Sequence, residues 1–122
     1  MVHYADWQAC GAPSFEECLE LAVAGPCSVV LLDTFDKSRG GLLSYYSPTA
    51  LSVLVGRARQ QQLKVVVAGS LRQRELPAIC GCMPDMVAVR TAACSNERRD
   101  GDVCQERVAA LVATLGGYLK PQ

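Results

Sequence analysis

The chain has 122 residues, of which half are hydrophobic and a fifth are charged, so a single domain over residues 1–122 is expected. Twelve basic residues balance twelve acidic ones, which excludes a field strong enough to attract nucleic acid or an anionic membrane. We therefore expect neither as a partner, and any anion must be bound by a local group of residues.

Seven cysteines are scattered through predicted helices, strands and loops, which argues against a disulfide framework. The sequence shows no signal peptide and no run of about 18 apolar residues, so a location in the reducing cytoplasm is expected. Cys80 and Cys82 are separated by one residue, but no second Cys or His pair stands at a ligating distance. Neither a metal nor another cofactor is predicted.

Four short apolar runs are spaced along the chain at residues 2–5, 28–32, 64–68 and 85–89. Three of them are rich in valine and do not alternate with polar residues. This pattern is typical of strands in a parallel sheet with both faces covered.

Helix signals lie between these runs. Ser14 and Glu17 predict a capping box for a first helix, which residues 25–26, Gly-Pro, bring to an end. Ser47, followed by a proline, predicts the N-cap of a second helix that runs to about Gln61.

A third helix is predicted to be short, with Ser70 as its cap and Pro77 as an interruption, and a fourth spans about Cys104 to Leu115. The predicted order is βαβαβαβα, an α/β fold with a parallel sheet. Two architectures accept this order: an open doubly wound sheet, and a (β/α)₈ barrel, of which four βα units would be half.

In either architecture, function is expected at the carboxyl ends of the strands. Each predicted strand is followed there by at least one polar or glycine residue. These residues are Asp6, Asp33 with Lys37, Gly69 with Ser70, and Arg90 with Thr91.

The loops after the last two strands predict phosphate binding. The sequence AGS at 68–70 places a glycine and a hydroxyl where backbone amides are free to bind an anion. The sequence VRTAAC at 89–94 adds Arg90, whose guanidinium pairs with phosphate oxygens, and the small residues Thr91, Ala92 and Ala93. Simple capping of a helix and a strand end is the alternative. The charge-dense stretch 95–102 is predicted to be a solvated turn or a lid.

Asp33 and Lys37 form the second candidate feature. A lysine beside an aspartate can act as an amine nucleophile, as an acid/base group or as a fixed charge for a phosphorylated substrate. A solvated loop ion pair is the alternative. Asp33 stands out because it directly follows four apolar residues at the predicted functional edge.

Four segments carry a resemblance to a known family: YAD at 4–6, LLDTFDK at 31–37, VVVAGSL at 65–71 and VAVRTAACS at 87–95. In order and spacing they resemble the second half of (5-formylfuran-3-yl)methyl phosphate synthase. The resemblance implies strands five to eight of a (β/α)₈ barrel. It also implies a lyase that joins two glyceraldehyde 3-phosphate molecules through a lysine Schiff base, for methanofuran-type cofactors.

By this resemblance, Asp33 and Lys37 are catalytic, and the AGS and VRTAAC segments bind phosphate. Position 91 departs from the family pattern, which has glycine where this chain has Thr91. The resemblance also implies that two further catalytic lysines lie in the first four βα units. Lys64, at the opposite edge of the sheet, and Lys120, in the tail, do not replace them, so the chain alone is expected to be inactive.

Half a barrel leaves an apolar face and two strand edges open, so a homo-oligomer or a complementing N-terminal half is expected as partner. A noncatalytic phosphate-binding half-barrel remains an alternative. A receiver-like signalling domain is a further alternative, but its acceptor aspartate should follow the third strand, whereas Asp33 follows the second.

Overall fold

The computed structural model describes residues 1–118, and its centre is a four-stranded parallel sheet with the spatial order β1-β2-β3-β4. The strands are β1 (Val2–Tyr4), β2 (Val29–Asp33), β3 (Lys64–Val67) and β4 (Met86–Val87). The predicted α/β class and the parallel sheet are confirmed. The predicted tail position of Lys120 lies outside the described residues.

Five α-helices accompany the sheet. They are α1 (Trp7–Cys10), α2 (Phe15–Ala24), α3 (Pro48–Gln60), α4 (Leu76–Gly81) and α5 (Gln105–Gly116). The single turn α1 was not predicted, because a helix of four residues leaves too short a pattern to detect. Within residues 1–118, no helix is both long enough and apolar enough to span a bilayer.

Two helix starts were predicted correctly because their signals are local. The Ser14 hydroxyl accepts from the Glu17 amide, and the Glu17 carboxylate accepts from the Ser14 amide, both at 3.3 Å. Ser47 Oγ accepts from the Ala50 amide at 3.1 Å at the start of α3. Each signal is formed within four consecutive residues, so it does not depend on the tertiary structure.

The predictions for the third helix were wrong in two respects. Ser70 is not a helix cap, because its φ of +50° places it in the left-handed region and a 3₁₀ turn at Gln73–Glu75 comes before α4. Pro77 lies in the first turn of α4, where its missing N–H costs no hydrogen bond, and therefore does not interrupt the helix. The fourth strand is also shorter than predicted, with two residues in place of five.

The strand order has no reversal, which distinguishes this sheet from doubly wound and receiver-like sheets. Right-handed crossovers that all step in one direction place their helices on one face. On that face the strand residues are fully buried against α2, α3 and α4. They are His3, Val30, Leu32, Val65 and Val67.

The opposite face carries a row of four apolar side chains in register: Val2, Leu31, Val66 and Met86. Val2 is 40 % exposed and Met86 is 55 % exposed, while the two central residues are partly buried. Within residues 1–118, one face of the sheet is therefore covered, whereas the valine-rich runs predicted cover on both. This sheet is compatible with half of a barrel.

Candidate functional site

Lys37 and Asp33 form an ion pair at the carboxyl end of β2. The distance from Lys37 Nζ to Asp33 Oδ1 is 2.6 Å, and Nζ also donates to Thr34 Oγ1 at 3.2 Å. The same Asp33 oxygen accepts from the Thr34 amide at 2.7 Å. The two charged side chains are 24 % and 22 % exposed, so they are partly shielded from water and still open to a ligand.

Asp6 holds the loop that carries Lys37. Its two carboxylate oxygens accept from the amides of Phe35 and Asp36, at 2.8 and 2.9 Å, and the residue is only 5 % exposed. Burial by itself would raise the pKa of Asp6, but the amide hydrogen bonds and the charge of Lys37 outweigh burial and lower it. The structure thus gives Asp6 a positioning contact, and its predicted contact with substrate stays a prediction.

Gly41 allows the loop after β2 to pack on the loop after β3. A Cβ at position 41 would lie 2.9 Å from the carbonyl oxygen of Gly69 and 3.0 Å from that of Ser70. The Leu42 amide donates to the Gly69 carbonyl at 2.9 Å, and Gly69 itself has a φ of +107°. This close approach brings the Lys37 loop beside the predicted phosphate loop.

Two adjoining cavities open at this edge of the sheet. The inner cavity has a volume of about 270 Å³ and is lined by six of the predicted site residues: Asp33, Lys37, Gly69, Ser70, Arg90 and Thr91. The outer cavity has a volume of about 540 Å³ and shares Lys37, Ser70 and Thr91 with the inner one. The structure thus brings together residues from the ends of β2, β3 and β4.

Three predicted residues lie elsewhere. Asp6 lines a separate cavity of about 400 Å³, which it shares with Lys37. Ala92 and Ala93 are buried against Leu76 and Leu111, in a 3₁₀ turn closed by a 3.0 Å hydrogen bond from the Ala93 amide. Their small side chains let this turn pack beneath α5, and their predicted role in phosphate binding stays a prediction.

Comparison with known proteins decides the family. The family model described as 4-HFC-P synthase matches residues 1–112. The chain belongs to this synthase family. It is 31 % identical to a (5-formylfuran-3-yl)methyl phosphate synthase of Methanopyrus kandleri over 113 residues, which cover 92 % of this chain and 48 % of the relative. The relative of the same name from Methanocaldococcus jannaschii is 32 % identical over 109 residues, 88 % of this chain and 46 % of its own length.

These matches confirm the resemblance carried by the four segments. The chain spans about half the length of the curated relatives it matches. Position 91 is where this chain departs from the family pattern of glycine. Thr91 is 6 % exposed there and lines both cavities, so its side chain fits without closing the site.

Sequence reasoning found Arg90 but missed other arginines of the candidate site. Arg72 and Arg74 line the outer cavity, and Arg99 lines both cavities. Arg99 reaches the site because the stretch 95–102 folds back, with its backbone carbonyl accepting from Arg90 Nε at 3.1 Å. The one available signal was the charge density of that stretch. It is a mostly exposed turn, as predicted, and the lid stays a prediction.

The predicted absence of a metal stays a prediction. Within the described part of the chain, no three or more His, Cys, Asp or Glu side chains cluster as metal ligands would. Cys80 and Cys82 are both buried, and Cys82 Sγ donates to the Pro48 carbonyl at 3.2 Å. This spacing therefore serves the packing of α4 against α3.

Proposed function

We propose that this chain is the carboxyl-terminal, phosphate-binding half of a (5-formylfuran-3-yl)methyl phosphate synthase. The synthase would act as a lyase in the cytoplasm and join two glyceraldehyde 3-phosphate molecules during biosynthesis of a methanofuran-type cofactor. The observation that carries the proposal is the position of Lys37, whose amine contacts Asp33 and lines a cavity with Ser70, Arg90 and Thr91. The name of the matching relatives supports the same reaction.

In this proposal, Lys37 is an acid/base group and Asp33 is its charge partner. The Asp33 carboxylate, 2.6 Å away, holds the amine of Lys37 at the wall of the cavity, where Lys37 can exchange a proton with a substrate oxygen. Thr34 fixes the direction of the amine by accepting its second hydrogen bond. The Schiff base would form on a lysine of the other four βα units, as the family resemblance implies.

The substrate phosphate would bind in the inner cavity, between the loops after β3 and β4. Gly69 and Ser70 bring backbone and a hydroxyl to its wall, and Thr91 brings a second hydroxyl. Arg90 Nε donates to the backbone carbonyl oxygen of Arg99. The terminal NH₂ groups of the Arg90 guanidinium are then left to donate to phosphate oxygens. Phosphate between the last two strand loops is the usual arrangement in (β/α)₈ barrels.

The open face of the sheet supports the half-barrel part of the proposal. Val2, Leu31, Val66 and Met86 form a row that would become part of a packed barrel interior once four further strands close the sheet. The matched relatives are about twice as long as the aligned segment, which is the length that four more βα units require. These units would come from the same polypeptide, from a separate chain, or be replaced by a second copy.

Reconstitution tests the proposal. Residues 1–122 are expressed with the part of the Methanopyrus kandleri relative that this chain does not match, and product formed from glyceraldehyde 3-phosphate is measured by mass spectrometry. We expect product from the complex, no product from either half alone, and loss of product with Lys37→Gln. Lys64→Gln is the matched control, since Lys64 is exposed at the other end of β3.

Four outcomes would contradict parts of the proposal. Product from residues 1–122 alone at the rate of a full-length relative would contradict the half-barrel, as would a chain that stays a monomer without binding hydrophobic dye. An undiminished rate with Lys37→Gln would contradict its catalytic role. A complex that binds glycerol 3-phosphate but forms no product would favour a noncatalytic phosphate-binding half-barrel.

A further inference from the structure

The arginines of this chain fall into two groups. Nine arginines lie within the described residues, and five of them form ion pairs: Arg39, Arg57, Arg59, Arg98 and Arg107. The four that form no ion pair within residues 1–118 are Arg72, Arg74, Arg90 and Arg99. All four line the inner or the outer cavity. Guanidinium groups left without a carboxylate on the wall of a cavity are suited to binding a phosphate.

These four arginines are divided between the cavities. Arg90 lines the inner cavity, Arg72 and Arg74 line the outer cavity, and Arg99 lines both. In the proposed function, the inner cavity binds the phosphate of one substrate molecule. The outer cavity is twice as large, at about 540 Å³, and has no ligand assigned by that function.

Glu97 holds the two arginine-bearing segments together without neutralising them. One of its carboxylate oxygens accepts from the backbone amide of Gln73 at 3.3 Å, between Arg72 and Arg74. The other oxygen forms a 2.9 Å ion pair with Arg107, on α5. The charge of Glu97 is therefore matched by Arg107. Arg98 and Asp100 also line the outer cavity and pair with each other. Arg72, Arg74 and Arg99 then face one further carboxylate on that wall, Glu75, and the wall keeps a net positive charge.

We propose that Arg72, Arg74 and Arg99 form a second phosphoryl-group subsite, which holds the phosphate of a second substrate molecule. This inference rests on the proposed function, in which two phosphorylated trioses must occupy one site together. Two triose phosphates bring two phosphate groups, whereas the product in the relatives' name carries one. The site must therefore hold a second phosphate group until that group is released. Lys37, which lines both cavities, stands between the two subsites.

Calorimetric titration of the full chain with glycerol 3-phosphate tests this subsite. We expect two binding sites in the unsubstituted protein. The double variant Arg72→Gln/Arg74→Gln should weaken one site about tenfold or more, because charge-assisted hydrogen bonds are lost, and leave the other unchanged. Both side chains are exposed, so the fold should tolerate the change, and circular dichroism checks this.

Two further variants separate this inference from the proposed function. Arg90→Gln should weaken the inner site instead. Arg59→Gln/Lys64→Gln removes the same two charges at the opposite end of the sheet and should change neither site. Loss of a site with Arg90→Gln, but none with the Arg72/Arg74 variant, would overturn the second subsite and leave the proposed function standing. The reverse result would support the second subsite and contradict the inner phosphate pocket.

Titration with inorganic phosphate identifies what the outer subsite holds. A substrate subsite should bind glycerol 3-phosphate at least as tightly as inorganic phosphate. A tenfold preference of the outer subsite for inorganic phosphate, or a single binding site in the unsubstituted chain, would overturn the assignment to a second substrate molecule.

Discussion

The amine of Lys37 lies 2.6 Å from Asp33 Oδ1, at the end of β2. Lys37 lines three cavities at this position. The apolar strand before Asp33 is the reason for this arrangement. Leu32 and Val30 anchor the strand in the core, so the position of the charged pair is set by a rigid element and not by a free loop.

The charge of Asp33 should matter for turnover and not for phosphate binding. Asp33→Asn keeps an oxygen that can accept from Lys37 and Thr34 but removes the negative charge beside the amine. We expect the rate of the reconstituted synthase to fall about 100-fold or more. Binding of glycerol 3-phosphate should stay equal or tighten, because a negative charge leaves the wall of the inner cavity. Weaker phosphate binding in this variant would contradict the assignment.

The carboxylate of Asp6 should stabilise the Lys37 loop. Asp6→Asn keeps one acceptor for two backbone amides, so we expect the free energy of unfolding to fall by about 1–3 kcal/mol in urea titrations. Because the folded-state pKa of Asp6 is lowered, its contribution is complete above about pH 4 and is lost as pH falls further. The exposed Asp102 supplies the control Asp102→Asn, and equal stability of the two variants would contradict this role.

A side chain at position 41 should separate two loops of the site. The Cβ of Gly41→Ala would meet the carbonyl oxygens of Gly69 and Ser70, so we expect a loss of about 1–3 kcal/mol in the free energy of unfolding and weaker phosphate binding. Gly56→Ala is the matched control within α3, where a Cβ meets nothing within 4 Å. It should stabilise the protein by about 0.5–1 kcal/mol. Equal stability of both variants would argue against the close approach.

His3 should make stability depend on pH below neutrality. Burial of its imidazole lowers its pKa, and Nε2 lies 2.7 Å from the Tyr46 hydroxyl. The unfolded chain therefore binds the proton more readily, so the free energy of unfolding should be constant above about pH 6.5 and fall as pH drops below it. Urea titrations between pH 7.5 and 5 measure this slope. His3→Gln should flatten it, and an unchanged slope would contradict the assignment to His3, the one histidine of the sequence.

Local signals predicted the helix starts at Ser14 and Ser47 and the order of strands and helices. They failed at Ser70, because its left-handed backbone is imposed by the packing of a distant loop through Gly41. No pattern within a few residues contains that contact.

The sequence by itself determined which residues follow the strands. Because a parallel sheet places the carboxyl ends of its strands at one edge, six of these residues were correctly predicted to lie together, and they line the inner cavity. Only the tertiary structure decided that Asp6 holds a loop and that Arg72, Arg74 and Arg99 face the outer cavity. The physical reason is that these arrangements depend on hydrogen bonds between segments that are not adjacent in the chain, such as Gln73 to Glu97 and Arg90 to Arg99. Strand periodicity carries no information about such contacts.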